Sequence, residues 1–237
     1  MKKLPKLLID FLFPPFCLSC EQDGAYLCVW CKKDLKPHPE SCPWCHRPSP
    51  WRRTCLNCFP THRYIQGVII AFQYSWVLKK LIWKLKYNHR SVLARFLAER
   101  LALFIQTHSE LMHAYTKWKL LITYVSSHRR RKYIIKWYNQ SELLAKELGK
   151  LLNIPCAQLA TKTKHTKSQA KLSRKHRLTN LVWVYQNRKS SIKWDEHILI
   201  VDDITTTWST IVELAKTIYS THPQTKIRWA VIWRHGK

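Results

Sequence analysis

The sequence predicts an α/β fold, a mostly parallel sheet with flanking helices, preceded by a small cysteine-rich module. Three observations carry this. Beyond residue 63 short β-rich apolar runs alternate with amphipathic segments, the pattern of strands joined by helical crossovers. Before it, residues 17 to 58 hold four CxxC pairs. The composition changes near His62, from Pro-rich and loop-like to long periodic segments, which sets the expected domains at 1–62 and 63–237.

The first segment, "KKLPKLLIDFLFPPFC", is basic and then apolar. Asp10 interrupts it, it is far short of a bilayer span and no small-residue cleavage site follows, so no membrane span and a cytoplasmic location are expected. Nine cysteines in a reducing compartment are poor disulfide candidates. Eight of them form Cys17/Cys20, Cys28/Cys31, Cys42/Cys45 and Cys55/Cys58. Two thiolates of a CxxC knuckle bind one tetrahedral zinc and a second knuckle completes the shell, so four knuckles make two structural Zn²⁺ sites. Sequential pairing, with spacers of seven and nine residues, is the simplest assignment, and interleaved pairing stays open. A redox role for one pair competes, but four copies within 42 residues exceed what redox chemistry needs. Closed four-thiolate shells leave no position for substrate, so this zinc stabilises rather than reacts. Cys156, alone after Pro155, reads as a small buried residue. Segments such as "KPHPESCPWCHRPSP" bury too little to fold without metal.

In the second domain "GVIIAFQY", "LLITYV", "LVWVY", "HILIVDD" and "KIRWAVIW" read as strands. "VLKKLIWKLKY", "SVLARFLAERLALFIQTH", "NQSELLAKELGKLLN" and "STIVELAKTIYSTH" repeat apolar residues at helical spacing between them. Ligands of such sheets bind beyond the carboxyl ends of the strands. That rule singles out Asp202 and Asp203, where the run "ILIV" stops before a Thr-rich loop and a helix starting near Ser209. Two carboxylates there suit vicinal sugar hydroxyls, and loop amides at a positive helix end suit a phosphate monoester. A ribose 5-phosphate satisfies both halves. The plainer account, Asp203 as a turn residue with Thr207 or Ser209 as helix cap, leaves Thr205, Thr206 and Thr210 without a purpose.

An apolar content of 46% argues for a folded chain, and a formal charge of +27, from 41 Lys and Arg against 14 Asp and Glu, makes a surface that attracts polyanions and phosphorylated metabolites. The basic residues are spread along the chain, so a solvated basic surface accounts for them equally well.

"ILIVDDITTTWST" resembles the phosphoribosyl-pyrophosphate (PRPP) motif of type I phosphoribosyltransferases. With "YSWVLKKLIWKLKY", "RRRKYIIKWYNQSELLAKELGKLLNIP", "TKSQAKLSRKHRLTNLVWVY" and the knuckles before them, nearly the whole chain is similar in layout to the ComF/GntX family of competence-associated proteins, a double zinc ribbon followed by a phosphoribosyltransferase-like domain. The resemblance implies that Asp202 and Asp203 bind the ribose hydroxyls and that Thr205, Thr206, Thr207, Trp208, Ser209 and Thr210 cradle the 5-phosphate. It sets Ser126, Ser127 and His128 at the pyrophosphate loop, although the two prolines usual there are absent. Arg129, Arg130, Arg131, Asn139 and Gln140 match the basic hood of the family, and Gln169, Arg177 and Asn180 the segment after it.

The implied chemistry is Mg²⁺-dependent phosphoribosyl transfer, in which the bond from C1 to pyrophosphate breaks through an oxocarbenium-like state. Mg²⁺ on pyrophosphate and hydroxyl oxygens, helped by Arg129 or Lys86, neutralises the leaving group. Asp202, Asp203, Arg129 and Lys86 are then the catalytic candidates. A second function class is a non-catalytic competence factor that grips single-stranded DNA and works with a competence helicase or other DNA-uptake protein.

Glycine is scarce. The chain has 12 Trp and 4 Gly, together 16 of 237 residues, close to the ordinary glycine share of about 7%. Trp76, Trp137, Trp183 and Trp208 stand where the resemblance puts glycine, and Trp51 less clearly so. Tryptophan suits neither positive φ nor close backbone approach. Two accounts follow: a gene that encodes glycine as UGA, or a degenerate relative with tryptophans that obstruct the phosphate loop.

Overall fold

The structure, a computed structural model, describes residues 16–87, 91–107, 109–116, 119–126, 139–163, 184–188, 197–205 and 208–234. Among the described residues the main sheet has four strands: β1 Gly67–Phe72, β2 Leu120–Tyr124, β5 His197–Thr205 and β6 Lys226–Arg234. Their spatial order is β1-β6-β5-β2 and all three pairings are parallel. Besides a five-residue α1 (Val29–Lys33) in the cysteine module, the helices are α2 Trp76–Tyr87, α3 Ser91–Gln106, α4 Ser109–Thr116, α5 Gln140–Leu152 and α6 Trp208–Thr221. The sheet forms as expected because each run is apolar on both faces and meets helices on both, as a parallel sheet requires.

Alternation along the strands divides the core in two. Ile69, Ile122, Leu199, Val201 and Ile232 pack on one side with the apolar stripes of α2, α3 and α5. Val68, Leu121, Ile198, Ile200, Trp229 and Val231 pack on the other with Ile211, Leu214 and Ile218 of α6. Of the five expected strands, "LVWVY" departs from the expectation. Its described end continues into β4 (Tyr185–Asn187), which pairs antiparallel with β3 (Ala160–Lys162) in a separate two-stranded sheet. Helix α4 carries no expectation from the sequence.

The cysteine module lies along the free edge of β1. The Thr54 amide donates to the Gln66 carbonyl at 2.8 Å, the His38 amide to Ala71 at 3.1 Å and the Gln73 amide to Lys36 at 2.9 Å. This blunts an edge that would otherwise invite pairing with another chain. Approach is closest at Gly67, where a Cβ would stand 2.7 Å from the Arg52 carbonyl oxygen and 2.6 Å from Arg228 Nη1, so only glycine fits. Leu18, Leu27 and Leu35 of the module join the α2/α3 side of the core, while Trp44 packs against the α6 side.

Candidate functional site

The cysteines gather as two groups, Cys17, Cys20, Cys28 and Cys31, and Cys42, Cys45, Cys55 and Cys58, with the sulfurs of each group within 4.8 Å of one another. This is the sequential pairing. Sulfurs around one tetrahedral zinc stand about 3.8 Å apart at Zn–S distances near 2.3 Å; Cys20 to Cys28 and Cys45 to Cys55 are each 3.6 Å. Backbone N–H groups of Cys28 and Cys55 donate to the sulfurs of Cys17 and Cys42 at 3.5 Å. Burial opposes ionisation of Cys17, yet backbone donors from Cys20 and Cys28 bring its thiol down to about 6. The donor set and spacing fit zinc.

At the carboxyl end of the sheet, Asp202 and Asp203 close the apolar run of β5 and are 9% and 8% exposed. Three groups hold them. The Ser141 hydroxyl, in the first turn of α5, donates to Asp202 Oδ1 at 2.6 Å. The Asp203 amide donates to the same oxygen at 2.9 Å. Lys86, near the end of α2, sets its ammonium 3.0 Å from Asp203 Oδ2. Burial first, and the neighbouring Asp203 charge second, push the Asp202 carboxyl well above the usual carboxylate range, while the Ser141 hydrogen bond pulls the other way.

The start of α5 ties the site together. Asn139 caps the helix, its Oδ1 accepting from the Ser141 amide at 3.2 Å and its Nδ2 donating to the Val125 carbonyl at 2.9 Å. Gln140 Nε2 donates to the Lys86 carbonyl at 3.3 Å. Ser126, just beyond β2, is buried, and its hydroxyl accepts from the Lys162 amide of β3 at 3.0 Å. The carboxyl ends of β2 and β5, helices α2 and α5 and the small sheet therefore converge. Ser141 is absent from the sequence reading, although the pattern Asn139 to Glu142, a cap followed three residues later by Glu, marks the helix start that carries it.

Of the expected phosphate cradle, Thr205 ends β5 and is buried, and Trp208, Ser209 and Thr210 form the first turn of α6. Thr206 and Thr207 lie outside the described residues, as do Ser127, His128, Arg129, Arg130, Arg131, Trp137, Gln169, Arg177, Asn180 and Trp183. The Trp208 indole packs against other aromatic rings, 4.6 Å from the Trp44 ring and 6.1 Å from Trp229, with the Arg234 guanidinium 4.8 Å over its face. Trp44 in turn stacks on His62 at 3.5 Å and donates its indole N–H to Thr54 at 3.1 Å. Arg234 donates to the Pro43 carbonyl at 3.2 Å. The second cysteine group thus abuts the helix that follows the Thr-rich loop. Trp76 and Trp208 sit in helices, whereas Trp51 has φ 54°, the left-handed region that favours glycine.

No family model matches the chain. It is 29% identical to the DNA utilization protein YhgH of Escherichia coli K12, over 86% of this chain and 90% of that protein. It is also 29% identical to Competence protein F of Haemophilus influenzae, over 80% of this chain and 82% of that protein. The chain is a homologue of these proteins. It is also similar to the YhgH of Salmonella typhimurium, 26% identical over 92% of this chain and 96% of that protein. Among the described residues no helix is long and apolar enough to cross a membrane.

Proposed function

We propose that the chain binds PRPP, or a ribose 5-phosphate-type ligand, at the carboxyl end of β5, and performs Mg²⁺-dependent phosphoribosyl transfer in the service of nucleotide salvage or DNA uptake. The observation that carries this is the buried Asp202–Asp203 pair at the strand end, directly before the Thr-rich loop and the amino end of α6. Two adjacent acceptors suit a vicinal diol, and the helix end suits a phosphate. Lys86 is the cation nearest the pair among the described residues and supplies charge where pyrophosphate develops it. When bound, Mg²⁺ neutralises the departing pyrophosphate. Arg129 remains part of the reading as a second cation.

The names of the homologues favour a second reading, a competence factor that holds single-stranded DNA. The charge of +27 suits phosphate contact. Titration of PRPP with Mg²⁺, and separately of a short single strand, against the wild type and Asp202→Asn/Asp203→Asn separates the two. Loss of PRPP binding with DNA affinity intact means two sites. A wild type that ignores PRPP ends the phosphoribosyl reading. DNA affinity that does not fall steeply with salt ends the electrostatic account of the second.

A further inference from the structure

We propose that Ser141 is a positioning residue that acts through Asp202, setting the orientation of the first carboxylate before any ligand arrives; its effect on ligand binding rests on the phosphoribosyl reading above. The geometry is that of a carboxylate held from two directions. Asp202 Oδ1 accepts from the Ser141 hydroxyl at 2.6 Å and from the Asp203 amide at 2.9 Å, and both donors are buried. The O–H···O distance is at the short end of the hydroxyl range. A carboxylate on a strand end is free to turn about its terminal torsion, which is broad. Two donors on one oxygen remove that freedom.

Ser141 is itself fixed. Its amide donates to Asn139 Oδ1, Asn139 is anchored on the Val125 carbonyl, and Gln140 holds the end of α2 through the Lys86 carbonyl. Three consecutive residues at the start of α5 thereby grip the ends of β2, α2 and β5. A capping residue alone needs none of the outward contacts. Ser141 is 5% exposed, and a buried hydroxyl stays only where it has a partner. The titratable groups that face Asp202 among the described residues are Asp203 on its own strand and Tyr185 on β4, with Lys86 reaching it through Asp203.

The test is a double-mutant cycle read in two ways. Ser141→Ala should weaken PRPP about five- to tenfold, the worth of one buried hydrogen bond, while Ser141→Thr, which keeps the hydroxyl, stays within a few-fold of wild type. In the Asp202→Ala background, which removes the acceptor that Ser141 holds, the Ser141→Ala change should add nothing. Independently of any ligand, the carbon-13 carboxyl resonance of Asp202 should titrate at higher pH in Ser141→Ala than in wild type. Ser141→Cys, nearly isosteric and a weaker donor, serves the same readings if the alanine variant does not fold. Additive losses, or an unmoved Asp202 titration, overturn the positioning role. A wild type that binds no PRPP, with the Asp202 titration still moved in Ser141→Ala, overturns only the phosphoribosyl reading.

Discussion

The Lys86 ammonium stands 3.0 Å from Asp203 Oδ2, with the two side chains 25% and 11% exposed. A pair this shielded is worth more when broken than when replaced, since removing one partner strands the other charge. Lys86→Ala should therefore destabilise the protein by about 1–3 kcal/mol. The double variant Lys86→Ala/Asp203→Asn should recover much of that. Denaturant unfolding of the two variants decides it, and equal losses in both would mean that the pair contributes nothing.

Asp202 carries a pH dependence of definite sign. Burial and the Asp203 charge raise its carboxyl in the folded state, so the folded protein holds a proton that the unfolded chain gives up at a pH near 4. Stability from this group is complete below that pH and is lost as pH rises through the folded value. Asp202→Asn should consequently raise the melting temperature of the ligand-free protein at neutral pH. At pH 4 the difference should vanish. In a chain this size each kcal/mol is worth about 2–4 °C. A melting temperature that falls at pH 7.5 would contradict the account.

Zinc removal should act locally at first. Metal analysis should return about two Zn²⁺ per chain, one for each four-cysteine group. Cys42→Ser should release one equivalent and expose residues 42–58 to protease. Because Trp44 and Pro43 contact Trp208 and Arg234, the same variant should also loosen the start of α6. Hydrogen exchange at residues 208–212 reads this, and protection equal to wild type would separate the module from the loop.

Trp208 makes a prediction about the gene. UGA codons at positions 76, 137, 183 and 208, with UGG at a core residue such as Trp233, would make the first four glycines in the cell. UGG at 137, 183 and 208 would remove that account. In the protein with tryptophan at 208, Trp208→Gly together with Trp137→Gly should strengthen PRPP binding. It should also cost stability, since the indole packs on Trp44 and Trp229. Unchanged PRPP affinity would mean the loop accommodates the indole.

What was legible followed the range of the interaction. The four strands of the main sheet each carry their own apolar run, and the CxxC spacings are local, so both are readable from short windows. The acidic pair was readable because the apolar run of β5 stops at it. The β3–β4 pair was not: three residues per strand leave no period to count. Nor was Ser141, whose partner lies 61 positions away and is chosen by how α5 packs against β5. The Trp44–Trp208 contact joins two modules, and each sequence window sees only one ring.

The strand order β1-β6-β5-β2 sets a timetable. Strand β6, the last to be made of the four, lies in the middle, between β1 and β5. Until residues 226–234 leave the ribosome, β1 has no neighbour among the other described strands of the sheet, and of the described pairings of that sheet the β2–β5 one alone can form. The cysteine groups close over short loops long before that. Synthesis thus yields the clasped cysteine module first and completes the described sheet only once β6 has emerged, and a chain stopped before β6 leaves apolar strand edges open to aggregation.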